Sequence, residues 1–301
     1  MHSILVLGLG ELGSAILNAL LAHTHRDTQV TITVLLRVPS DPAKQNVVAS
    51  LIARGVAVIH GDILASSEAD LSELFKPFHT VIGCTGMTYP AGTQVKLSRA
   101  VLSAGVQRYF PWQFGVDYDT IGPNSSQDLF SEQLEVRALL RGQSKTRWAI
   151  VSVGMFTSFL FEPSFGVVSE DRKVVHALGS WENRVTVTIP EDIGRVVAEL
   201  VWQDRDAEGV VFVAGDTVSY KDVADIMKRI MGQDVRTEEW SIDFLKEELA
   251  KDPANGLKKY RVAFAEAMGV AWKKEGTYNE RHGLRLETAD EYARKLFGRQ
   301  L

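Results

Sequence analysis

The apolar run Ile4-Leu5-Val6-Leu7 leads straight into Gly8-Leu9-Gly10-Glu11-Leu12-Gly13, and Arg37 stands at the end of the next apolar run. A strand that feeds a glycine-rich turn and then a helix is how a chain builds a cradle for pyrophosphate. The first glycine permits the tight turn, the second lets backbone approach phosphate, and the third packs helix against strand. The helix start adds free N–H groups and the positive end of its dipole, worth ~0.3–1 kcal/mol for a nearby anion. Residues 4–7 are the strand this motif requires, and residues 14–22 are helix-forming. The chemistry implied is that of a bound dinucleotide.

Arg37 selects among dinucleotides. In such sheets the end of the second strand faces the adenosine ribose, where an Asp or Glu binds the 2′-hydroxyl of NAD. Here Thr31-Ile32-Thr33-Val34-Leu35-Leu36-Arg37-Val38-Pro39-Ser40 has no acid at the strand's end. An arginine offers a fork of donors to a 2′-phosphate and can stack on adenine. Ser40 and Lys44 stand near enough in sequence to assist. The competing reading of Arg37 is a solvated side chain after a strand. NADP(H) is the cofactor predicted.

Further positions follow from the same geometry. Gly83-Cys84-Thr85-Gly86 closes a fourth strand, where backbone passes beneath the cofactor. Gly61-Asp62 closes a third, by the expected adenine, with a turn or helix cap as the other role for Asp62. Gly154-Met155-Phe156 ends a later strand on the ligand side and is placed against the nicotinamide. Trp112, Phe114, Phe156, Phe159, Phe161 and Trp181 can wall an apolar pocket for a planar substrate, with Phe114 and Phe161 favoured as core. His176 is a candidate polar lining residue.

These residues need elements to hold them. Strand-like runs occur at 3–7, 30–36, 56–60, 79–84, 107–111 and 147–153, separated by helical stretches at 43–54, 67–75, 93–104 and 127–142. The alternation predicts an α/β fold: a Rossmann, doubly wound parallel sheet that binds ligand at the carboxyl ends of its strands. After residue 153 the rhythm changes, and 156–183 reads as loops around a pocket. A strand at 185–189 leads through Pro190-Glu191-Asp192-Ile193-Gly194 into a helix at 192–202. A strand at 209–214 and helices near 220–232, 241–250, 256–268 and 288–297 complete the pattern. The expected organisation is an NADP(H)-binding domain over 1–153 and a smaller α+β substrate-binding domain over 154–301, with segments returning to the sheet.

Composition narrows the partners. With 301 residues and 45% apolar content the chain can bury one large core or two modest ones. A net charge of −5 gives no footprint for nucleic acid, and no basic run suggests a membrane surface. The single cysteine, Cys84, rules out an intramolecular disulfide and fits a reducing compartment. No secretory or membrane-spanning segment stands out, so a cytoplasmic protein is expected. The histidines show no metal-ligand spacing, and no metal is expected. The partner predicted is a small-molecule substrate, with the protein a monomer or homodimer.

The segment Gln107-Arg108-Tyr109-Phe110-Pro111-Trp112-Gln113-Phe114-Gly115-Val116-Asp117 resembles the "RF-PSEFG-D" segment of the isoflavone reductase-like proteins, which belong with the NmrA-like group of atypical short-chain dehydrogenases. Phe130 and Arg137 fall in register with that family's "F-xx-K-xxx-R" helix. Val151 to Phe156, Pro190 to Gly194 and Thr288-Ala289-Asp290-Glu291-Tyr292 resemble its "VS-xx-F", "EDIG" and closing-helix segments, so the similarity covers nearly the whole chain. The resemblance implies a Rossmann domain for NADP(H), a smaller substrate domain, and reduction of conjugated or aromatic secondary metabolites.

Two departures stand out. The family's "SE" pair is Trp112-Gln113, and the lysine that the reductase branch uses as proton donor falls on Gln133. An amide can orient a carbonyl or a water, but it cannot supply a proton as an ammonium can. No tyrosine in the chain has a lysine four residues later, so the ordinary short-chain dehydrogenase pair is absent too. Three options remain open. Tyr118, Asp117 or a water held by Gln133 and Gln113 stabilises the developing charge, the substrate needs little acid help, or the protein holds NADP(H) without turning it over, as an NmrA-like sensor would.

Overall fold

Four of the five side chains in the first strand, β1 (Ser3–Leu7), are buried, the near-continuous apolar signature of a parallel strand covered on both faces. The computed structural model describes residues 3–86, 89–232 and 234–298. From β1 the chain alternates through α1 (Glu11–Ala22), β2 (Thr31–Leu36), α2 (Pro42–Ala53), β3 (Ala57–His60), α3 (Glu68–Phe75), β4 (Thr80–Gly83) and α4 (Thr93–Ala104). It continues with β5 (Arg108–Phe110), the short α5 (Tyr118–Ile121), α6 (Asp128–Arg141) and β6 (Arg147–Ser152). The remainder holds β7 (Met155–Phe156), α7 (Thr157–Leu160), β8 (Val174–Leu178), β9 (Arg184–Thr188), α8 (Pro190–Trp202) and β10 (Gly209–Phe212). Last come β11 (Asp216–Ser219), α9 (Tyr220–Met231), β12 (Arg236–Trp240), α10 (Ile242–Lys251), α11 (Gly256–Ala265), α12 (Tyr278–Arg281) and α13 (Ala289–Phe297).

Seven strands form one sheet in the order β10-β6-β5-β4-β1-β2-β3. β1 pairs in parallel with both β2 (Ser3↔Thr31) and β4 (Ile4↔Thr80), so the winding reverses at β1. In sheets of this kind that reversal opens a crevice at the carboxyl ends of the two neighbouring strands. The turns there are Gly8–Gly10 between β1 and α1 and Cys84–Gly86 after β4. Leu5, Leu7, Val81, Tyr109 and Ile150 from the sheet pack with Leu97 and Val101 of α4 and Phe75 of α3 in one core cluster. The fold is thus the doubly wound Rossmann type that the alternation predicts.

Local chemistry sets the helix starts. Asp41 accepts the Lys44 N–H at 2.9 Å with Pro42 at the first helical position of α2. Ser67 and Asp70 make a reciprocal capping box for α3. The end of α8 is held by Arg108, which is 4% exposed and donates to the Leu200 carbonyl at 2.8 Å.

The chain divides into two compact units. One comprises Met1–Gln113, Glu132–Val151 and Ile193–Val211; the other comprises Phe114–Ser131, Ser152–Asp192 and Phe212–Leu301. The second holds a three-stranded sheet, β11-β9-β7, and a two-stranded sheet, β12-β8. The stretch 156–183, read from sequence as loops, therefore contains a strand. β8 pairs in parallel with β12, Val174 opposite Arg236, and a partner some sixty residues away leaves no local signature.

Candidate functional site

The glycine turn is built as a cradle. Gly8 has a left-handed φ of +91°, and a Cβ there would lie 2.5 Å from the Thr85 γ-methyl. At Gly13 a Cβ would meet the Gly8 carbonyl oxygen at 2.3 Å, so helix α1 sits directly on the turn. Gly10 differs: nothing lies within 4 Å of where its Cβ would be. Backbone there is open to an approaching group. Gly10 caps α1 without any side-chain hydrogen bond to the first turn. A helix start without a side-chain cap, beside an open glycine, is geometry that suits an anion. Leu12 is buried beneath it, while Glu11 points outward as an exposed residue.

Beyond β2 lies a cleft of about 590 Å³ lined by Leu9, Leu36, Arg37, Pro39, Lys44 and Val47. Lys44 Nζ reaches Ser40 Oγ and Asp41 Oδ2, each at 2.9 Å, and all of Lys44's contacts here are with residues of the same turn. Val38 and Val47 leave 72% and 46% of their surface in the open. Asp62 takes the turn role: its Oδ1 accepts the N–H groups of Leu64 (2.8 Å) and Ala65 (3.2 Å). These two bonds, with a further contribution from the Arg37 charge, hold its carboxyl below the ordinary value.

On the other side of β1, Trp112 and Gly86 define the loop ends. The Trp112 indole lies where a Gly86 Cβ would be, 1.6 Å from its nearest atom, so only glycine fits beneath the ring. Cys84 is buried, and burial pushes its thiol up, which leaves it packing material rather than a nucleophile.

Below this loop the two departures from the family pattern meet. Gln113 Nε2 donates to the Gln133 carbonyl at 2.9 Å, and Gln113 Oε1 accepts from Arg137 Nε at 2.9 Å. Gln113 and Arg137 are fully buried. The side-chain amide of Gln133 is 1% exposed, and neither its Oε1 nor its Nε2 has a hydrogen-bond partner among the described residues. An unsatisfied buried amide costs ~1–3 kcal/mol and calls for an explanation in a ligand, a water or strain. Thr85 Oγ1 is in the same condition.

The second unit places the remaining candidates. Tyr118 is 5% exposed, packed edge-on to Phe130 at 5.2 Å, with its hydroxyl against Gly115. Asp117 accepts the Thr120 hydroxyl at 2.6 Å and donates its backbone N–H to the Gly269 carbonyl at 2.8 Å. It also borders a cleft of about 330 Å³ with Phe212 and Trp272. Gly154 has φ +76°, and Met155 and Phe156 pair with Val187 and Thr188 of β9. Phe159 joins Phe165 (4.5 Å between centroids) and Tyr260 (6.0 Å) in an aromatic chain that runs on through Phe130 to Tyr118. Burial pushes the Tyr260 hydroxyl up to about 12. Phe114 and Phe161 are core. His176 stacks on Trp240 at 4.0 Å, with one ring nitrogen 2.6 Å from the Gly166 carbonyl oxygen and the other 3.4 Å from Glu238. Trp181 is half-buried, its carbonyl accepting from Lys221 N–H at 3.2 Å.

The structure thus brings together the cradle, Thr85, Gly86 and Trp112, and separately Gln113, Gln133 and Arg137. It adds residues that the sequence reading passed over: Gln94 on the Thr85 loop, Glu132 on the first turn of α4 and Lys96 on the loop after β3, and Tyr260, Phe212 and Trp272 in the second unit. No local signal marks the first group, because Thr93 at the helix start reads in sequence as an ordinary cap and the carboxylate that bonds this turn lies on α6. Among the described residues no cluster of His, Cys, Asp and Glu is placed to hold a metal, and no helix is long and apolar enough to cross a membrane.

Sheet order, glycine cradle and switch point define a Rossmann-type α/β protein. More narrowly, residues 2–292 match the NmrA-like family, and the chain belongs to it. An NmrA-like family domain-containing oxidoreductase of Gibberella moniliformis (strain M3125 / FGSC 7600) is 46% identical over 301 residues, covering 98% of each chain. Among solved structures, isoflavone reductase superposes with a TM-score of 0.80 at 19% identity over 98% of this chain and 99% of that one. AtPrR2 with NADP+ and (+)pinoresinol gives 0.78 at 19% identity, over 98% of both. At such identities these two share the fold.

Proposed function

We propose that the chain is an NADPH-dependent reductase of a small conjugated or aromatic metabolite. The observation that carries this reading is the cleft beyond β2, where Arg37, Ser40 and Lys44 face an apolar rim of exposed Val38 and Val47. Cations beside open valines suit a 2′-phosphate next to an adenine ring. Gly8, Leu9, Gly10, Glu11, Leu12 and Gly13 would hold the pyrophosphate with backbone N–H groups. Asp62 would border the adenine. Cys84, Thr85, Gly86, Trp112, Gln113, Gly154, Met155 and Phe156 would line the nicotinamide half. When bound, NADPH supplies the hydride. The oxidoreductase name of the fungal relative and the NADP+ held by AtPrR2 support the same reading.

Trp112, Phe156, Phe159, His176 and Trp181 remain the residues proposed for the substrate, His176 as a positioned polar group. Gln133, the residue proposed nearest the chemistry, donates or accepts a hydrogen bond and leaves proton supply to Tyr118, Asp117 or water. Such a site suits an acceptor that tolerates charge as it forms, such as an activated enone, a quinone methide or an iminium ion. One observation favours a second reading, an NADP(H)-sensing protein without turnover: the buried network carries amides at both 113 and 133.

The test is NADPH absorbance with the purified protein against enones, aryl ketones, quinones and imines, with NADH as control. Consumption specific to NADPH establishes the reductase and its acceptor class. Silence across the panel from a protein that binds NADPH would shift the reading to the sensor.

A further inference from the structure

The first turn of α4 holds two loops at once, and a carboxylate from another helix holds that turn. α4 begins after Gly92, whose left-handed backbone offers no side chain to the orphan N–H groups of the helix start. Glu132 of α6 supplies the missing acceptor: its Oε1 takes the Gln94 N–H at 2.6 Å and the Val95 N–H at 3.2 Å. Glu132 is buried, so a desolvated carboxylate meets the positive end of a helix.

Two side chains reach out from the same turn. Gln94 Nε2 donates to the Thr85 carbonyl at 2.7 Å. That fastens the residue whose methyl group abuts Gly8 in the phosphate cradle. Lys96 Nζ donates to the carbonyls of Ile63 (2.7 Å), Ser66 (3.0 Å) and Leu64 (3.3 Å), which fastens the loop after β3. Asp62 begins that loop and feels the charges of Arg37 and Lys96.

We infer that Glu132 is a positioning residue for the dinucleotide, acting through α4 on the Thr85 loop and on the 62–66 loop together. The inference rests on the NADP(H) reading above. Gly92 has φ +87°, a backbone that strains Ser or Asp, so the acceptor for this helix start comes from another helix. Taking the cap from α6 does what a local cap cannot. It registers the helix that carries Gln133, the very next residue, against both loops assigned to the cofactor. Gln94 and Lys96 are the two arms, one toward the nicotinamide half and one toward the adenosine half.

The experiment separates the arms by ligand. NADPH and 2′,5′-ADP, which carries only the adenosine half, are titrated calorimetrically onto wild type, Gln94→Ala, Lys96→Met, Glu132→Gln and Glu132→Ala, with Tm recorded for each. Gln94→Ala should weaken NADPH about tenfold (~1.4 kcal/mol) and leave 2′,5′-ADP unchanged. Lys96→Met should weaken both ligands by a similar factor. Glu132→Ala should weaken both further, and Glu132→Gln, which keeps an oxygen for the two N–H groups, should recover most of the loss. Should Glu132→Ala fail to fold, the two single-arm variants still decide the matter. Wild-type affinity for NADPH in both arm variants would overturn the inference. So would losses that follow Tm equally for both ligands, since Glu132 would then serve the fold alone. A wild-type chain that binds neither ligand would overturn the NADP(H) reading itself, and this inference with it.

Discussion

Two glutamines on one network have opposite relations to stability. Gln113 is fully engaged, with its oxygen on Arg137 Nε and its nitrogen on the Gln133 carbonyl. Gln133 is equally buried, yet its own amide makes no hydrogen bond among the described residues. A buried amide without partners is a cost to the fold, so its replacement by a similar-sized apolar side chain relieves that cost. Gln133→Leu should therefore keep or raise Tm while lowering turnover or cofactor affinity. Gln113→Leu should do the reverse to the fold, destabilising it by ~1–3 kcal/mol because Arg137 Nε loses its acceptor in a dry interior. Thermal melts and NADPH consumption on the two variants check the contrast. A stability gain at Gln133 without functional loss would make that residue a packing accident and remove it from the site. Neither behaviour was legible in sequence. Substitution pattern alone marked both positions, and burial and partnership exist only in three dimensions.

At the scale of elements, the glycine turn separates what the fold requires from what the ligand requires. Gly13→Ala puts a Cβ 2.3 Å from a backbone oxygen that cannot move aside cheaply, so β1 and α1 must part. Overpacking of that kind costs ~1–3 kcal/mol, and Tm should fall accordingly. Gly10→Ala meets nothing within 4 Å, so its Tm should change little while phosphate approach is blocked. A titration with NADPH beside a melt distinguishes them; equal loss of affinity at unchanged Tm in both would contradict the packing. A second element effect concerns acid. Asp222 closes the capping box of α9. Burial raises its pKa, but the N–H and hydroxyl of Ser219 lower it further, and the net shift is downward. A carboxyl held lower in the folded state adds stability above its unfolded value, near ~3.9, and loses it as pH falls through the folded value. Ser219→Ala should thus cost ~1 kcal/mol at neutral pH and visibly less near pH 3, read from Tm across pH. The first-half elements were legible because their signals are local: the strands end within a residue or two of the apolar runs that announce them. The unreadable part was non-local. Glu132 caps a helix start 38 residues earlier, and β8 waits for β12.

Across the whole molecule, a net charge of −5 works against an anionic ligand, so any affinity for a dinucleotide must come from local donors rather than from a global field. NADPH carries an extra phosphate into that unfavourable field. It should still bind better than NADH only if Arg37 and Lys44 turn the sign of the potential inside their cleft. Bound ligand stabilises the folded state by RT ln(1 + [L]/Kd), about 2.7 kcal/mol at a hundredfold excess over Kd. The two cofactors at one concentration therefore report their affinities as two shifts in Tm. In wild type the NADPH shift should be the larger. Arg37→Glu replaces a charge-assisted donor, worth ~1.5–3 kcal/mol, with a repelling carboxylate. The NADPH shift should shrink by several degrees and the NADH shift by little, or even grow, because a carboxylate there can accept from a ribose 2′-hydroxyl. Raising the salt should diminish the wild-type NADPH advantage and leave the variant's preference nearly level. A variant in which both shifts fall alike would place Arg37 outside the 2′-phosphate pocket and leave the cleft beyond β2 without its assigned occupant.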